Sequence, residues 1–140
     1  MPRDRHAAAD NGRFDRAVVY FNAAAFFEAH EDWEELWHDA EGDERRWLQG
    51  LIQVAAAFVH FERGFFARGF VQLIREGSAR MAGYEGDDWG LDLADLDARL
   101  RPWRDHAARV AEGADLRTEA PPLPRLRYRA GVEPDPLLPT

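Results

Sequence analysis

The chain contains no cysteine and no lysine, and each absence excludes a kind of chemistry. Without cysteine there is no disulfide, no thiolate zinc site and no cysteine nucleophile. Without lysine there is no Schiff-base or lysine-nucleophile mechanism. No apolar run approaches the roughly 20 residues of a membrane-spanning helix, and the polar start, MPRDRHAAADNGRFDR, lacks the apolar centre of a secretory signal. We therefore expect a cytoplasmic protein with no membrane partner.

Positive charge is also scarce. The 140 residues include 26 acidic and 18 basic ones, all of them arginine, and the net charge is −8. Because nucleic-acid binding requires a basic face, this balance argues against nucleic acid as a partner. Hydrophobic residues make up 46% of the chain, which at this length predicts one compact domain with a real core rather than a disordered protein.

Apolar residues recur at helical spacing along most of the chain, and no alternating strand pattern stands out. Gly64 marks a turn between two helices, and Asp92 is a candidate helix cap. Pro102 should end or kink a helix, so a short fifth helix is expected to begin there. The helices are predicted over residues 14–40, 44–63, 64–83, 91–100 and 102–113.

The end of the chain has a different composition, since six of the eight prolines lie between Pro121 and Pro139. Proline lacks the backbone N–H that a helix interior needs, so this part should be extended. The prediction is an all-α fold, a compact bundle of four to five helices with an extended proline-rich C-terminal tail. We divide it into a flexible N-terminus (1–12), a helical domain (13–113) and a tail packing on that domain (114–140).

The stretch FFEAHEDWEELW places polar groups close to the apolar face of the first predicted helix. On a wheel at 100° per residue, His30 falls in the middle of the apolar face, Glu34 next to it and Glu31 on its boundary. Asn22 also falls inside the apolar arc. Glu28 and Glu35 point away and should be solvated. The sequence thus predicts one inward histidine with one or two inward carboxylates.

The second predicted helix, residues 44–63, has a matching polar stripe. It consists of Arg46, Gln49, Gln53 and His60, interleaved with small residues that would let another helix approach closely. A buried polar group without a partner costs on the order of 1–3 kcal/mol. The two polar stripes are therefore predicted to face each other.

Three interpretations of this cluster follow from the residues. It is a buried hydrogen-bond network that fixes the register of two helices. Alternatively it is a metal site, in which His30 and Glu34 at i, i+4 bind one ion with His60 as third ligand. The third interpretation is a small-molecule pocket in which His30 or a desolvated glutamate acts as acid or base. The His-Glu-x-x-His zinc motif and Gly-rich phosphate loops are absent.

Our function hypothesis is a protein that binds a small molecule or a divalent metal ion at this cluster. The alternative is a structural or protein-interaction module, and whether the protein is an enzyme stays open. Three other histidines, His6, His38 and His106, are expected at the surface, and exposed aromatics such as Phe65 or Trp89 would suit a homo-oligomer. The candidate ligands are His30, Glu31, Glu34 and His60, with Asn22, Arg46, Gln49 and Gln53 as the supporting polar network.

The stretches FNAAAFFEAHEDWEELW and WLQGLIQVAAAFVHFERG resemble a family of small helical bacterial and archaeal proteins, domain of unknown function 309 (DUF309). The resemblance implies a compact all-α fold and no established activity. One departure is the segment GFFARG, where members often carry Gly-Asn-x-x-Gly-Ala: Phe65 replaces the asparagine and Arg68 the second glycine. The matching positions are Phe21, Asn22, Phe27, Glu28, His30, Glu31, Glu34, Trp37, Gln49, Gly50, Gln53 and His60.

Overall fold

A computed structural model of the protein describes residues 5–64, 66–86, 89–115 and 117–134. The all-α prediction is confirmed, since these residues contain five α-helices, one π-helical turn and no β-strand. Within the same ranges, no helix has both the length and the apolar character needed to cross a membrane. The elements are α1 (Ala8–Asn22), α2 (Phe26–Asp39), α3 (Gly42–Arg63), the π-helical turn (Phe66–Val71), α4 (Gln72–Met81) and α5 (Leu93–Ala111).

The single helix predicted over residues 14–40 is wrong, because α1 and α2 are separate helices packed against each other. Ala24 adopts a left-handed conformation, with φ of 60°. The Ala24 N–H bonds to the Phe21 carbonyl and the Ala25 N–H to the Tyr20 carbonyl, at 3.0 and 2.8 Å. This pair of bonds is a Schellman C-cap, which usually has glycine at the left-handed position. α1 also begins earlier than predicted, at Ala8.

α3 lies between α2 and α4 and carries much of the core. It ends at Gly64, whose left-handed φ of 77° confirms the predicted turn. Phe58 packs edge-on against Trp103 of α5 and against Phe70, with ring centroids 4.9 and 6.0 Å apart. Each such side chain contributes roughly 1.5–3 kcal/mol by full burial. Burial on several sides explains why this helix is apolar around most of its circumference.

α5 passes through Pro102 without ending, so the prediction of two helices there is wrong. Proline at position 102 removes the bond that its N–H would donate to the Ala98 carbonyl. Both residues are exposed, and water can therefore satisfy that carbonyl. Asp92 is the predicted cap, and its side chain accepts a 2.9 Å bond from the Asp95 N–H.

The residues after α5 return across the helices, and we call residues 120–132 the C-terminal strap. The Trp103 Nε1–H donates to the Pro122 carbonyl at 2.8 Å. An isolated antiparallel bridge joins Leu91 to Tyr128, and the Tyr128 hydroxyl donates to the buried Asp15 carboxylate at 2.5 Å. Residues 135–140 of the predicted tail lie outside the described residues. The division into 1–12, 13–113 and 114–140 stays a prediction.

Candidate functional site

Three of the predicted ligands, His30, Glu31 and Glu34, form one cluster on α2. His30 Nε2 lies 3.4 Å from Glu34 Oε2, and His30 Nδ1 lies 3.6 Å from Glu31 Oε1. One ligand atom from each residue can be chosen so that all three lie within 4.8 Å of one another. The two histidine contacts are longer than a good hydrogen bond, so His30 Nε2 and the carboxylate lone pairs are still available to a ligand, whereas His30 Nδ1 is buried.

The position of this cluster follows from the periodicity of α2. The helix buries Phe26, Ala29, Trp33 and Leu36, which leaves position 30 at the edge of the apolar face rather than in its middle. The His30 side chain is 24% exposed, against 58% for Glu31 and 45% for Glu34. The predicted placement of His30 deep in the apolar face is therefore wrong. It rested on a wheel that ran through the break at Ala24.

Neighbouring aromatic and acidic groups shape the surface beside the cluster. The Phe27 ring is half exposed and stacks on His30, with centroids 6.1 Å apart and planes 19° apart. Phe27 and Glu28 also line a shallow cleft of about 260 Å³, together with Glu62 of α3. Partial burial raises the pKa of Glu62, and the nearby Glu28 carboxylate raises it further. The surface next to the cluster thus has two carboxylates, one arginine (Arg63) and one exposed aromatic ring.

The carboxylates of this cluster differ from a buried carboxylate on the same helix. In the described part of the chain, the ion pairs of Glu31 and Glu34 are with His30 alone. Asp32 instead receives a bidentate pair of hydrogen bonds from Arg16, one of them 2.7 Å long, and an ion pair from Arg13. The hydrogen bond to Asp32 raises the pKa of Arg16 above its ordinary value. Asp32 therefore ties α2 to α1, and the sequence analysis did not identify it.

The predicted meeting of the two polar stripes is wrong, because the stripe of α3 faces α4. Gln53 donates to Glu76 at 3.1 Å and accepts from Arg80 at 3.1 Å, and Arg46 donates to the Ala79 carbonyl. We call these contacts the α3–α4 network. Gln49 lies on the same stripe and is half-buried.

Two glycines determine which helix covers that stripe. A Cβ added at Gly50 would lie 2.7 Å from the Gly77 carbonyl oxygen, and one at Gly77 would lie 2.7 Å from the Gly50 carbonyl oxygen. α3 and α4 therefore approach more closely than any larger residue would allow. The prediction that small residues on α3 admit a close neighbour is confirmed, with α4 as that neighbour.

Two other residues that were predicted to belong to the site, His60 and Asn22, also lie apart from the cluster. His60 packs against the π-helical turn, where a Cβ at Gly69 would come within 2.4 Å of His60 Nδ1. The wider π turn and the absence of a side chain at Gly69 make room for this ring. The Asn22 amide bonds to the backbone of Leu126 in the C-terminal strap. His60 is therefore not the third ligand of the group that the structure forms.

Some residues expected at the surface are buried. His106 is 1% exposed and packs edge-on against Trp103. Trp89, named above as an exposed aromatic, is buried between Phe14 and His6, and His6 bonds to Glu44 at 2.5 Å. Phe65 lies outside the described residues. Position 106 shares a stripe with Leu96, Leu100 and Trp103, and this spacing is the signal that could have identified His106 as buried.

Comparison with known proteins supports the predicted resemblance. No curated protein matches the chain. Residues 14–73 match the model of a family described as Domain of unknown function (DUF309). The matched stretch contains all of α2 and α3. It therefore includes His30, Glu31 and Glu34, which we call the His30 cluster. The resemblance to the DUF309 family, whose description assigns no activity, is thereby confirmed.

Proposed function

We propose that the protein binds a divalent transition-metal ion through His30, Glu31 and Glu34. The observation that supports the proposal is the convergence of three ligand atoms within 4.8 Å of one another. Such atoms can share one ion, because metal–nitrogen and metal–oxygen bonds of about 2.0–2.2 Å place neighbouring ligands roughly 3–3.5 Å apart. Only small rotations of exposed carboxylates are needed to reach that spacing.

The donor set favours a particular class of ion. One imidazole nitrogen with two carboxylate oxygens suits Zn²⁺, Fe²⁺ or Co²⁺ better than Mg²⁺ or Ca²⁺, which prefer oxygen alone. Two features prepare the site for an ion. His30 is held by the Phe27 ring stacked on it, and the carboxylates have no arginine partner among the described residues that an ion would have to displace.

Three protein ligands leave further coordination positions open on the side of the solvent. Metal sites that act on or bind small molecules keep such positions, whereas purely structural sites close them. An open position beside the Phe27 ring would suit a small molecule that offers an oxygen or nitrogen to the ion. Metal and small molecule would then share one site.

Metal titration of the full-length protein tests the proposal. Calorimetry with Zn²⁺ on metal-stripped protein should show one ion bound per chain. His30→Ala should weaken binding by at least roughly 100-fold, since loss of even an outer-shell partner of a metal site costs about 10- to 100-fold. His38→Ala is the matched control, since His38 is an exposed histidine on the same helix. Stoichiometric binding that survives His30→Ala, or that is lost equally in His38→Ala, would contradict the proposal.

The alternative, a structural module, is favoured by a different observation: the α3–α4 network joins Arg46 and Gln53 to α4. We infer that these two residues serve helix packing rather than a ligand. Under this alternative His30→Ala would lower the free energy of unfolding in metal-free protein. Under the metal proposal it would lower stability only when Zn²⁺ is present.

A further inference from the structure

A cavity unrelated to the metal cluster lies between α4 and α5. Its volume is about 280 Å³. Ser78 and Met81 line it from α4, and Leu93, Leu96 and Leu100 line it from α5. These positions follow helical spacing on both elements, so the cavity is a gap between two facing stripes. The loop that covers it contributes Ala82 and Gly83, which are too small to fill the space.

Aromatic side chains form the inner wall. Trp47 of α3 is 1% exposed, and its ring stacks on that of Tyr84, with centroids 5.7 Å apart and planes 26° apart. Both residues line the cavity. Gly86 permits this arrangement, because a Cβ there would lie 2.3 Å from the Tyr84 hydroxyl oxygen. The cavity thus has aromatic and aliphatic residues in its walls, together with polar groups from Ser78, Glu85, Asp97 and Arg104.

One polar atom of the lining residues has no hydrogen-bond partner in the described chain. This atom is the Ser78 Oγ, which is buried beneath the cavity surface, so the Ser78 side chain must rotate to another staggered rotamer to present it to a ligand. Buried hydroxyl groups are usually hydrogen-bonded, and a ligand that bonded to this hydroxyl would supply the missing partner. Ser78 therefore marks where a polar group of a ligand would lie.

The charges at the mouth are nearly balanced. Arg104 and Asp97 both line the cavity and pair with each other at 3.0 Å. Glu85 is the remaining charged residue of the lining, and it is exposed. Since the arginine is already paired, no free positive charge is available at the mouth to attract an anion. The charges at the mouth therefore disfavour an anionic ligand.

We propose that this cavity binds a neutral, compact aromatic molecule of one or two rings whose N–H or O–H group bonds to Ser78. The size fits this class, since a dry cavity of about 150 Å³ accommodates benzene. Most of the lining comes from residues beyond 73, outside the family match. The site would therefore depend on the part of the chain that extends past that match.

Indole and 1-methylindole are suitable probes, because they share two rings and differ in the N–H group. Titration of the ¹⁵N-labelled full-length protein with indole should shift the indole N–H signal of Trp47, with a dissociation constant of roughly 1 mM or tighter. 1-Methylindole should bind about 3- to 10-fold more weakly, since it cannot donate to Ser78. In Ser78→Ala this preference for indole should disappear. This result would distinguish an effect of the lost hydrogen bond from an effect of the size of the methyl group.

A second pair of variants tests the location without disturbing the core. Ala94 is exposed and lines the cavity, whereas Ala98, one turn further along α5, is exposed and does not. Ala94→Trp should block the mouth and abolish the Trp47 shifts, and Ala98→Trp should leave them unchanged. The proposal is overturned if indole leaves the Trp47 signal in place. It is equally overturned if Ala94→Trp binds as well as Ala98→Trp, or if Ser78→Ala retains the preference for indole.

Discussion

α2 and α3 each carry a row of polar side chains, and the two rows have different partners. On α3, Gln53 and Arg46 bond to groups of α4. On α2, the side chains of Glu31 and Glu34 are 58% and 45% exposed and contact His30 alone among the basic groups of the described residues. A polar residue near an apolar face can thus have one of two roles. It either bonds to a neighbouring helix or remains accessible to a ligand.

The difference between the two rows comes from the surface opposite each of them. α3 is approached by α4 at the Gly50–Gly77 contact, so its polar groups lose water and must find protein partners. In the described chain, the His30 cluster has no such helix over it, and water can solvate its carboxylates. We therefore expect substitutions on α3 to change stability, and substitutions in the His30 cluster to change ligand binding instead.

Gly50→Ala should have the largest effect on stability. Its Cβ would lie 2.6 Å from Met81 Cγ and 2.7 Å from the Gly77 carbonyl oxygen, and a backbone atom cannot move aside as a side chain can. Overpacking of this kind costs about 1–3 kcal/mol, occasionally more, so we expect a loss of roughly 2 kcal/mol in urea unfolding. An exposed helical glycine would instead gain up to about 1 kcal/mol from the same change, and a stabilised variant would contradict the close helix contact.

Gln53→Met should have an intermediate effect, because it keeps the volume of the side chain and removes its bonds to Glu76 and Arg80. Loss of these bonds should cost about 1 kcal/mol in the free energy of unfolding. Glu34→Gln is the comparison on α2 and should change stability by less than about 0.5 kcal/mol in metal-free protein. The distinction between the two rows fails if Glu34→Gln proves the more destabilising change.

Glu62→Gln should have the smallest effect, and that effect should depend on pH. Burial and then the Glu28 carboxylate raise the pKa of Glu62 in the folded protein. Protonation thus favours the folded state, so this contribution is complete in acid and is lost as pH rises through the raised pKa. Glu62→Gln should raise the melting temperature slightly near pH 7, and the gain should vanish at about pH 4 and below. Glu35→Gln, an exposed control on α2, should show no such trend.

Local spacing in the sequence was enough to predict most of the fold. The apolar run from Trp47 to Phe58 predicted α3. Gly64 predicted a turn and Asp92 an N-cap, because these preferences are properties of single residues. Three of the four candidate ligands come together for the same reason. His30, Glu31 and Glu34 lie within one helical turn, and the spacing along the helix alone places them together.

The missed features depend on contacts between distant parts of the chain. Ala23, Ala24 and Ala25 are strong helix formers, so local propensity does not predict the left-handed Ala24, which is held by the C-cap hydrogen bonds and by packing of α1 against α2. Similarly, the stripe of α3 indicates that some element covers it, but periodicity does not say which one. His60 was assigned to the wrong neighbour on this account, since its partner is the π-helical turn.

The side-chain amide of Asn22 holds both backbone groups of Leu126, accepting from its N–H at 2.7 Å and donating to its carbonyl at 3.0 Å. The two residues are 104 positions apart, one inside the family match and the other well beyond it. Closing so long a loop is entropically costly until the helices between them are in place. Docking of the strap is thus expected late in folding. Slow hydrogen exchange at the Leu126 amide would identify molecules in which the strap has docked on Asn22.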